Sequence, residues 1–357
     1  MAVITLDRNR LKHNFNYLEK QFQEKHIEWA VVSKLLCGNK LFLKELLKIG
    51  VEQFCDSRIS NLKYIKELQP KARTCYIKPP AADIIPDIVK YADCSLNTEE
   101  RTIKLLSQEA KRQNKVHKVL IALELGELRE GVMGEELITF YRHVFEMDNI
   151  EVIGLAANLS CLYGVLPTPD KLIQLVLYSQ LLEATFNKSL KYISGGSSVS
   201  IPLLLNGSLP KGINHFRVGE TLFFGTNVYT GELLEEMEHT VFQLYANLLE
   251  VSKKPMSPNG EFGTNLEGES FEVDESLLGK ESIRGIIDVG ILDVDVNQIS
   301  FVDPNIKVSG VTSDMMVLDL GTNPKGYKSG DKIVISLNYM STLRLMNSNY
   351  VDKMVIG

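Results

Sequence analysis

Short apolar runs rich in β-forming residues alternate with amphipathic stretches from residue 28 to about residue 225. The amphipathic stretches, such as KLFLKELLKIG and EERTIKLLSQEAKRQ, carry apolar residues at i, i+3, i+4 and i+7, the spacing of one helix face. The apolar runs are continuous, which is typical of parallel strands buried on both faces. They are EWAVVSK (28–34), VEQFCDS (51–57), ARTCYIK (72–78), YADCSLN (91–97), VHKVLIALELG (116–126), IEVIGLAANLS (150–160), LKYISGG (190–196) and HFRVGE (215–220).

Eight such repeats over about 200 residues predict an α/β fold of the TIM (β/α)₈ barrel type over residues 8–235. An open dinucleotide-binding sheet is disfavoured because no G-x-G-x-x-G follows the first strand. The eighth helix is not defined by the pattern around NVYTGELLEEMEH, so closure of the barrel is an inference.

The pattern changes after residue 239, where strand-like runs such as IRGIIDVG, MMVLDLG and DKIVISLNY are separated by turn residues. These runs predict a C-terminal, mostly-β domain over 236–357, and the lone strand AVITLD is expected to join it, adding residues 1–7. An acidic, Gly/Ser-rich excursion at 255–283 interrupts this domain. A lid, a dimer-contact loop and a plain solvated loop are all compatible with it.

The composition narrows the class of protein. The 357 residues are 44% hydrophobic and 24% charged, as in ordinary globular proteins, and the net charge of −6 argues against nucleic-acid or anionic-membrane partners. No apolar run reaches the roughly 18–20 residues that a membrane span needs. The opening MAVITLDRNRLKHN lacks the apolar core of a signal peptide, so we expect a cytoplasmic protein.

The five cysteines include no C-x-x-C pair, so we predict neither a disulfide framework nor a metal site. Cys55, Cys75 and Cys94 lie in predicted strands and are expected to be small buried hydrophobic residues.

Candidate chemistry collects at the carboxyl ends of the predicted strands, where TIM barrels place their active sites. Lys34 ends the first strand, and desolvation there would favour the neutral amine that forms Schiff bases; a lysine extending to the rim is the alternative. Gly-rich turns follow strand seven (194–198) and strand eight (216–220), where barrels commonly bind phosphate. An amine and two phosphate-binding turns in these places together fit pyridoxal 5'-phosphate (PLP).

With these pieces in place, the chain resembles the alanine racemase family of fold-type III PLP enzymes over nearly its whole length, and within it the alanine/ornithine racemase branch. The matching motifs are ITLDRNRLKHN, VVSKLLCGN, FCDSRISNLKYIKEL, ELGELREG, SGGSSVS, FRVGETLFFG and SGVTSDMMVLDL.

The resemblance implies roles for three basic residues. Lys34 would form a Schiff base with PLP and serve as one proton-transfer base at the substrate Cα. Arg217 would face the pyridine nitrogen, keeping it unprotonated and limiting side reactions such as transamination. Arg129 would lie near the substrate carboxylate, a role that suits its planar, bidentate group.

The resemblance also implies the phosphate contacts. Ser198 and the amides of Gly219 and Glu220 match them, with Ser197 beside them. Tyr350 in the β domain would be a further phosphate ligand, or alternatively a surface or packing tyrosine.

Two further positions follow from the resemblance. Asn158 stands where these racemases typically carry a histidine that supports the pyridine-facing arginine. Asp314 matches a motif whose loop reaches the partner subunit's site near the substrate carboxylate, although its own role is open to a purely structural interpretation.

The second base departs from the family pattern. Racemisation by two bases needs a second group on the opposite face of the Cα, in this family a tyrosine supplied by the partner subunit. The corresponding stretch DVGILDVDV has no tyrosine, and Asp293 and Asp295 are its candidates for the base, for binding a substrate ammonium, or for ordinary strand turns. Cys161 and Tyr163 are further candidates for the base.

The predicted function is therefore a PLP-dependent racemase, an isomerase, acting on a small or basic amino acid such as ornithine, lysine or alanine. We expect a head-to-tail homodimer whose composite sites combine Lys34 of one chain with 290–314 of the other. The alternatives are a decarboxylase or D-threonine-aldolase type of PLP enzyme, and a non-catalytic PLP-binding protein. The aldolase relatives hold a metal with His and Cys near the C-terminus, whereas here the last such residues are His239 and Cys161.

Overall fold

The computed structural model describes residues 1–264, 268, 270, 272 and 274–357, which form two compact units. The larger unit is Arg8–His239, and the smaller one combines Met1–Asp7 with Thr240–Gly357. The chain opens with β1 (Val3–Asp7), a strand of the smaller unit. The hypotheses for the acidic excursion fall in part on positions 265–267, 269, 271 and 273, which lie outside the described residues.

The larger unit, all of whose residues are described, is built around a parallel sheet. Its spatial order is β8–β7–β6–β5–β4–β3–β2–β10–β9, and β8 and β9 are two pieces of one strand separated by Gly195, so the sheet returns on itself as a barrel. This confirms the TIM (β/α)₈ prediction. The strands are β2 (Glu28–Val32), β3 (Gln53–Asp56), β4 (Arg73–Tyr76), β5 (Cys94–Asn97), β6 (His117–Ala122), β7 (Ile150–Ala156), β8 (Tyr192–Ser194), β9 (Gly196–Ser197) and β10 (His215–Val218).

Helices accompany these strands along the chain. The stretch NVYTGELLEEMEH (227–239), where the sequence left the eighth helix undefined, is described throughout and contains no helix; the short α9 (Glu220–Phe224) precedes it. The N-terminal α1 covers the seam between the first and last barrel strands, because the Phe22 ring lies 5.2 Å from Trp29 of β2 and 5.1 Å from Phe216 of β10. The helices are α1 (Arg8–Gln23), α2 (Lys40–Lys48), α3 (Ile59–Leu68), α4 (Ile85–Tyr91), α5 (Glu100–Arg112), α6 (Leu137–Phe145), α7 (Pro169–Phe186), α8 (Ile201–Leu205) and α9 (Glu220–Phe224).

Small and branched side chains fill part of the barrel, including Val32, Leu120 and Ile153. The prediction of small buried cysteines is confirmed for Cys55 and Cys75, while Cys94 is half-buried against the same cluster. The barrel is therefore packed along its strands and leaves its chemistry to the strand ends.

The smaller unit is a mostly antiparallel sheet, in line with the predicted C-terminal β domain. β1 pairs antiparallel with β11 and parallel with β17. None of the described helices combines the length and the apolar character needed to span a membrane. The remaining elements are β11 (Phe242–Pro255), β12 (Glu281–Ile287), β13 (Ile299–Phe301), β14 (Lys307–Val311), β15 (Met316–Asp319), β16 (Lys332–Leu337), α10 (Tyr339–Asn347) and β17 (Asp352–Ile356).

Barrel closure generates a prediction at Gly196, which pairs with Phe216. A Cβ added at Gly196 would lie 2.1–2.3 Å from atoms of the fully buried Phe216 ring. We expect Gly196→Ala to lower the free energy of unfolding by about 1–3 kcal/mol, as overpacking of a core does. Urea unfolding followed by circular dichroism measures the change.

The control is Gly310→Ala, since a Cβ at Gly310 of β14 meets no atom within 4 Å. This variant should change the free energy of unfolding by no more than about 0.5 kcal/mol. Equal stability of the two variants would contradict the close packing of β9 on β10.

Candidate active site

Five of the predicted site residues line one cavity of about 430 Å³ at the carboxyl ends of the barrel strands. They are Lys34, Arg129, Asn158, Cys161 and Arg217. A larger cavity of about 690 Å³ contains none of the predicted site residues and is lined by residues near the opposite strand ends, such as Gln53 and His117. Barrel chemistry belongs to the carboxyl end, so the smaller cavity is the candidate active site.

Lys34 extends from a firmly held backbone. The preceding Ser33 is fully buried and donates its hydroxyl to Asp56 Oδ2 at 2.8 Å. Burial raises the pKa of the Asp56 carboxyl, an effect that the hydrogen bond from Ser33 opposes. Among the described residues, the Lys34 ammonium has no hydrogen-bond or ion-pair partner. The expectation of a desolvated amine is wrong for the single chain, because Lys34 is exposed.

Arg217 is a buried cation, 6% exposed, that forms part of the cavity wall. One guanidinium nitrogen, Nη1, donates to the carbonyl oxygen of Ser194 at 3.2 Å and to the Ser194 hydroxyl. The other, Nη2, donates to the carbonyl oxygen of Ala157 at 2.7 Å. These acceptors are neutral, and no carboxylate of the described chain pairs with Arg217, so its positive charge is not neutralised.

A buried imidazole lies behind this arginine. The Nδ1 atom of His215 is 2.7 Å from the Ser194 hydroxyl oxygen. Burial, together with the positive charge of Arg217, lowers the pKa of His215 to about 3. Sequence reasoning missed Ser194 and His215, although His215 and Arg217 stand two apart on β10 and must therefore share one face.

The ends of strands seven and eight, where the sequence predicts an anion site, are joined by hydrogen bonds. The hydroxyl oxygen of buried Ser198 accepts the backbone N–H groups of Gly219 and Thr221, both at 3.2 Å. Ser197 pairs with Arg217 in the sheet. Burial raises the pKa of Glu220, an effect that the charge of Lys34 opposes.

Arg129 has a carboxylate partner within the chain. Its Nε and Nη2 atoms donate to the two carboxylate oxygens of Glu130, which raises the pKa of Arg129. The predicted carboxylate-binding fork is thus occupied in the single chain by the neighbouring residue. Asn158 donates from Nδ2 to Cys161 Sγ at 3.2 Å, and the support of Arg217 comes from Ser194 and Ala157 instead.

Glu127 organises the loop that carries Cys161 and Tyr163. Its carboxylate, 1% exposed, accepts backbone N–H groups at 3.0 Å from Ser160, Tyr163 and Val165, and one more from Leu162. Burial raises the pKa of Glu127, but the four N–H donors outweigh burial and leave the pKa below its ordinary value. Sequence reasoning missed this role because the four donors are backbone groups.

The other predicted residues lie in the smaller unit, and its turns bring three of them together. Ile291 and Leu292 donate backbone N–H groups to Thr312 and Ser313 at 3.0 Å, which places the Asp314 turn beside the Asp293 stretch. Buried Asp293 accepts the Ser348 hydroxyl at 2.8 Å, and that hydroxyl oxygen accepts the Tyr350 backbone N–H at 3.1 Å. Asp314 and the Tyr350 side chain are exposed.

Asp295 has a local structural role. Its carboxylate accepts the backbone N–H of Asn297 at 3.0 Å and lies 3.8 Å from Arg344. The carboxylate is partly exposed, whereas Asp293 is buried. Of the two aspartates, Asp295 is the more accessible to a ligand.

Comparison with known proteins points to the same family that the sequence motifs indicated. Residues 6–227 match the family described as alanine racemase, N-terminal domain. The chain is 35% identical to an ornithine racemase from Acetoanaerobium sticklandii over 351 residues, 98% of each chain. It is 25% identical to a lysine racemase from Thermotoga maritima, over 98% of this chain and 97% of that one.

A solved structure of alanine racemase from Bartonella henselae with covalently bound pyridoxal phosphate has the same fold, with a TM-score of 0.76 at 15% identity over 99% of both chains. The family match covers more than half of the chain, and the match to the ornithine racemase covers nearly all of it. The chain therefore belongs to the alanine racemase family.

Proposed function

We propose that this protein is a PLP-dependent amino-acid racemase whose preferred substrate is a basic amino acid of the ornithine and lysine type. The observation that carries the proposal is that one cavity is lined by two cations: the Lys34 amine, which has no partner among the described residues, and the buried Arg217, which neutral oxygens hold. Family membership and 35% identity to an ornithine racemase support the reaction and the substrate class.

The donor set of this chain fits PLP. An aldehyde needs a free amine, which Lys34 offers, and a phosphate needs hydroxyl and N–H donors at a close backbone approach. Ser198 and Gly219 meet at the ends of strands seven and eight, where the Gly219 N–H donates to the Ser198 hydroxyl oxygen, so a phosphate that binds this N–H would replace that contact. A Cβ at Gly219 would lie 3.1 Å from the Val32 carbonyl oxygen. Glu220 and Ser197 flank this point, and Tyr350 is a further candidate ligand.

When bound, PLP withdraws electrons from the substrate Cα, so that the Cα proton becomes removable. Lys34 holds the cofactor and moves a proton at one face of the Cα. Arg217 keeps a permanent positive charge at the cavity wall, since a guanidinium stays protonated at ordinary pH. Arg129 binds the substrate carboxylate in exchange for, or together with, its contact to Glu130.

This proposal keeps two candidate sources for the second proton-transfer group, one in the same chain and one in a partner subunit. Cys161 lines the cavity and contacts Asn158, and Tyr163 follows it on the same loop, 70% exposed. Asp293 and Asp295 would act from a partner subunit, as the base or as acceptors for the terminal ammonium of ornithine or lysine. The ammonium role suits a carboxylate and explains a preference for basic substrates.

We also propose a cytoplasmic homodimer with two composite sites. Cys55, Cys75, Cys94 and Cys161 are thiols in the described chain, which suits a reducing compartment. Asp314 lies on the turn beside the Asp293 stretch, so a partner subunit would present both at once.

The test of the function is α-proton exchange in heavy water with a panel of single L-amino acids and added PLP, followed by chiral analysis. We expect deuterated D-ornithine or D-lysine to form faster than D-alanine. Faster turnover of alanine would contradict the basic-substrate assignment. Cofactor binding without any exchange would leave a non-catalytic PLP-binding protein.

Lys34 is tested by Lys34→Ala, with Lys44→Ala on the exposed face of α2 as the control. Without the amine, we expect racemisation to fall below detection and the visible absorbance of protein-bound PLP to disappear. The control should match the wild-type protein in both measurements. Racemisation that survives Lys34→Ala would remove this lysine from the mechanism.

The composite site is tested with hybrid dimers. One chain carries Lys34→Ala and the other carries Asp293→Asn with Asp295→Asn, each with a different affinity tag. A doubly tagged hybrid has one intact site of two, so it should show about half of wild-type activity although both parent dimers are inactive. An active monomer by light scattering, or a fully active double aspartate variant, would refute the composite site.

A further inference from the structure

The position of the Arg217 guanidinium depends on the Ser194 hydroxyl group, whose orientation is not set by Arg217 alone. A guanidinium only donates hydrogen bonds, so the Ser194 oxygen that meets Nη1 must act as an acceptor. The hydroxyl hydrogen of Ser194 then needs its own acceptor in a buried place. His215 Nδ1, at 2.7 Å, is in position to be that acceptor.

This chain of donors specifies one form of His215. If Ser194 donates to Nδ1, the ring is neutral and carries its proton on Nε2. A ring with its proton on Nδ1 would donate to the Ser194 oxygen, and the buried hydroxyl hydrogen of Ser194 would then have no acceptor among the contacts of the described residues. The geometry therefore selects the neutral Nε2–H tautomer, and burial works in the same direction by disfavouring the charged ring.

The acidic neighbour of His215 is Glu28, its pairing partner on β2, whose carboxylate accepts the Tyr192 hydroxyl at 2.9 Å and pairs with Arg73 and Lys191. No carboxylate of the described residues is hydrogen-bonded to the His215 ring. That ring packs against Tyr192, with centroids 4.6 Å apart. The charges that act on it are Arg217, Lys191 and Arg73, all positive, and each lowers its pKa further. With its pKa lowered to about 3, the imidazole is expected to stay neutral near pH 7, so that Nδ1 remains an acceptor.

We propose that His215 and Ser194 are positioning residues that hold the guanidinium of Arg217 in its place at the cavity wall. The proposal rests on the proposed function, since it takes Arg217 as the residue that faces the cofactor. It assigns the support of Arg217 to residues of strands seven and eight. Asn158, the position predicted from the sequence for this role, donates to Cys161 instead. All the groups that hold Arg217 are uncharged, so they fix its guanidinium without neutralising its positive charge.

Three variants distinguish the loss of a hydrogen-bond acceptor from the loss of side-chain packing. His215→Leu removes the acceptor, Ser194→Ala removes the hydroxyl, and His215→Asn keeps an oxygen acceptor near the place of Nδ1. If the chain of hydrogen bonds is what matters, His215→Asn should resemble the wild-type protein more than His215→Leu does. The double variant Ser194→Ala with His215→Leu should be no worse than either single variant, since all three break the same chain.

The first measurement uses the protein without added cofactor and without any assay of activity. The chain has six histidines, so imidazole nitrogen NMR of ¹⁵N-labelled protein resolves them, and the resonance lost in His215→Asn identifies His215. We expect neutral His215 with the proton on Nε2 from pH 6 to pH 8 at room temperature, as roughly expected for a ring that burial keeps uncharged. A charged ring or an Nδ1–H tautomer would overturn the proposal.

The second measurement is the ratio of cofactor transamination to racemisation in the holoenzyme. Loosening Arg217 should raise this ratio in Ser194→Ala and in His215→Leu by about tenfold, the usual effect of losing a hydrogen bond to a charged group. The change should have the same direction as in Arg217→Gln, and His215→Asn should restore most of the wild-type ratio. An unchanged ratio, with only a lower rate or a lower melting temperature, would reduce the two residues to packing and overturn the proposal.

The two measurements also distinguish this proposal from the proposed function. If the wild-type protein exchanges the α-proton of no amino acid, the racemase assignment fails whatever the NMR spectrum shows. If exchange occurs but the tautomer or the ratio disagrees, only the positioning role fails.

Discussion

The pairing of β10 with β2 on one side and β9 on the other is the constraint on which the site depends. It joins the two ends of the parallel sheet, so that residues about 180 positions apart in the chain line one cavity. Lys34 follows β2, and Arg217 lies within β10. The absence of a side chain at Gly196 permits this closure, because the Phe216 ring occupies the space that a Cβ would need.

Buried carboxylates then hold the strand ends that carry the chemistry. Asp56 accepts the Ser33 hydroxyl, which holds the backbone immediately before Lys34. Glu127 accepts four backbone N–H groups from the loop that carries Cys161. In both places a buried carboxylate is stabilised by hydrogen bonds rather than by an ion pair, so neither carboxylate neutralises Lys34 or Arg217.

The sequence was sufficient to predict the barrel and to place Lys34 and Arg217 at the same end of it, because both follow from local patterns. Eight apolar runs reveal parallel strands, and Lys34 and Arg217 are found from the ends of those strands. Partner choice was beyond reach, since it depends on atoms that only the fold brings together. Arg129 is the exception, because it contacts its chain neighbour Glu130, which depends on the conformation of the loop rather than on the fold. The support of Arg217 comes from Ser194 and not from the predicted position 158. Asp293 and Asp295 are candidates because they lie where the family motif has a tyrosine. Their contacts could not be predicted, because Arg344, which contacts Asp295, lies in α10 and Ser348, which contacts Asp293, lies at its end, both far away in the sequence.

The carboxylate of Glu127 also determines when the conformational entropy of its loop is lost. Five consecutive peptide units between Ser160 and Val165 are ordered around a group that is covalently part of the chain, and Ser160 adopts a left-handed conformation there (φ 68°). That ordering is completed when the chain folds, so a ligand that enters the cavity meets a wall already in place and does not bear its cost. Cofactor and substrate should then associate at rates close to those of a rigid pocket. The loop also need not reorder when the product enantiomer leaves and the next substrate molecule binds.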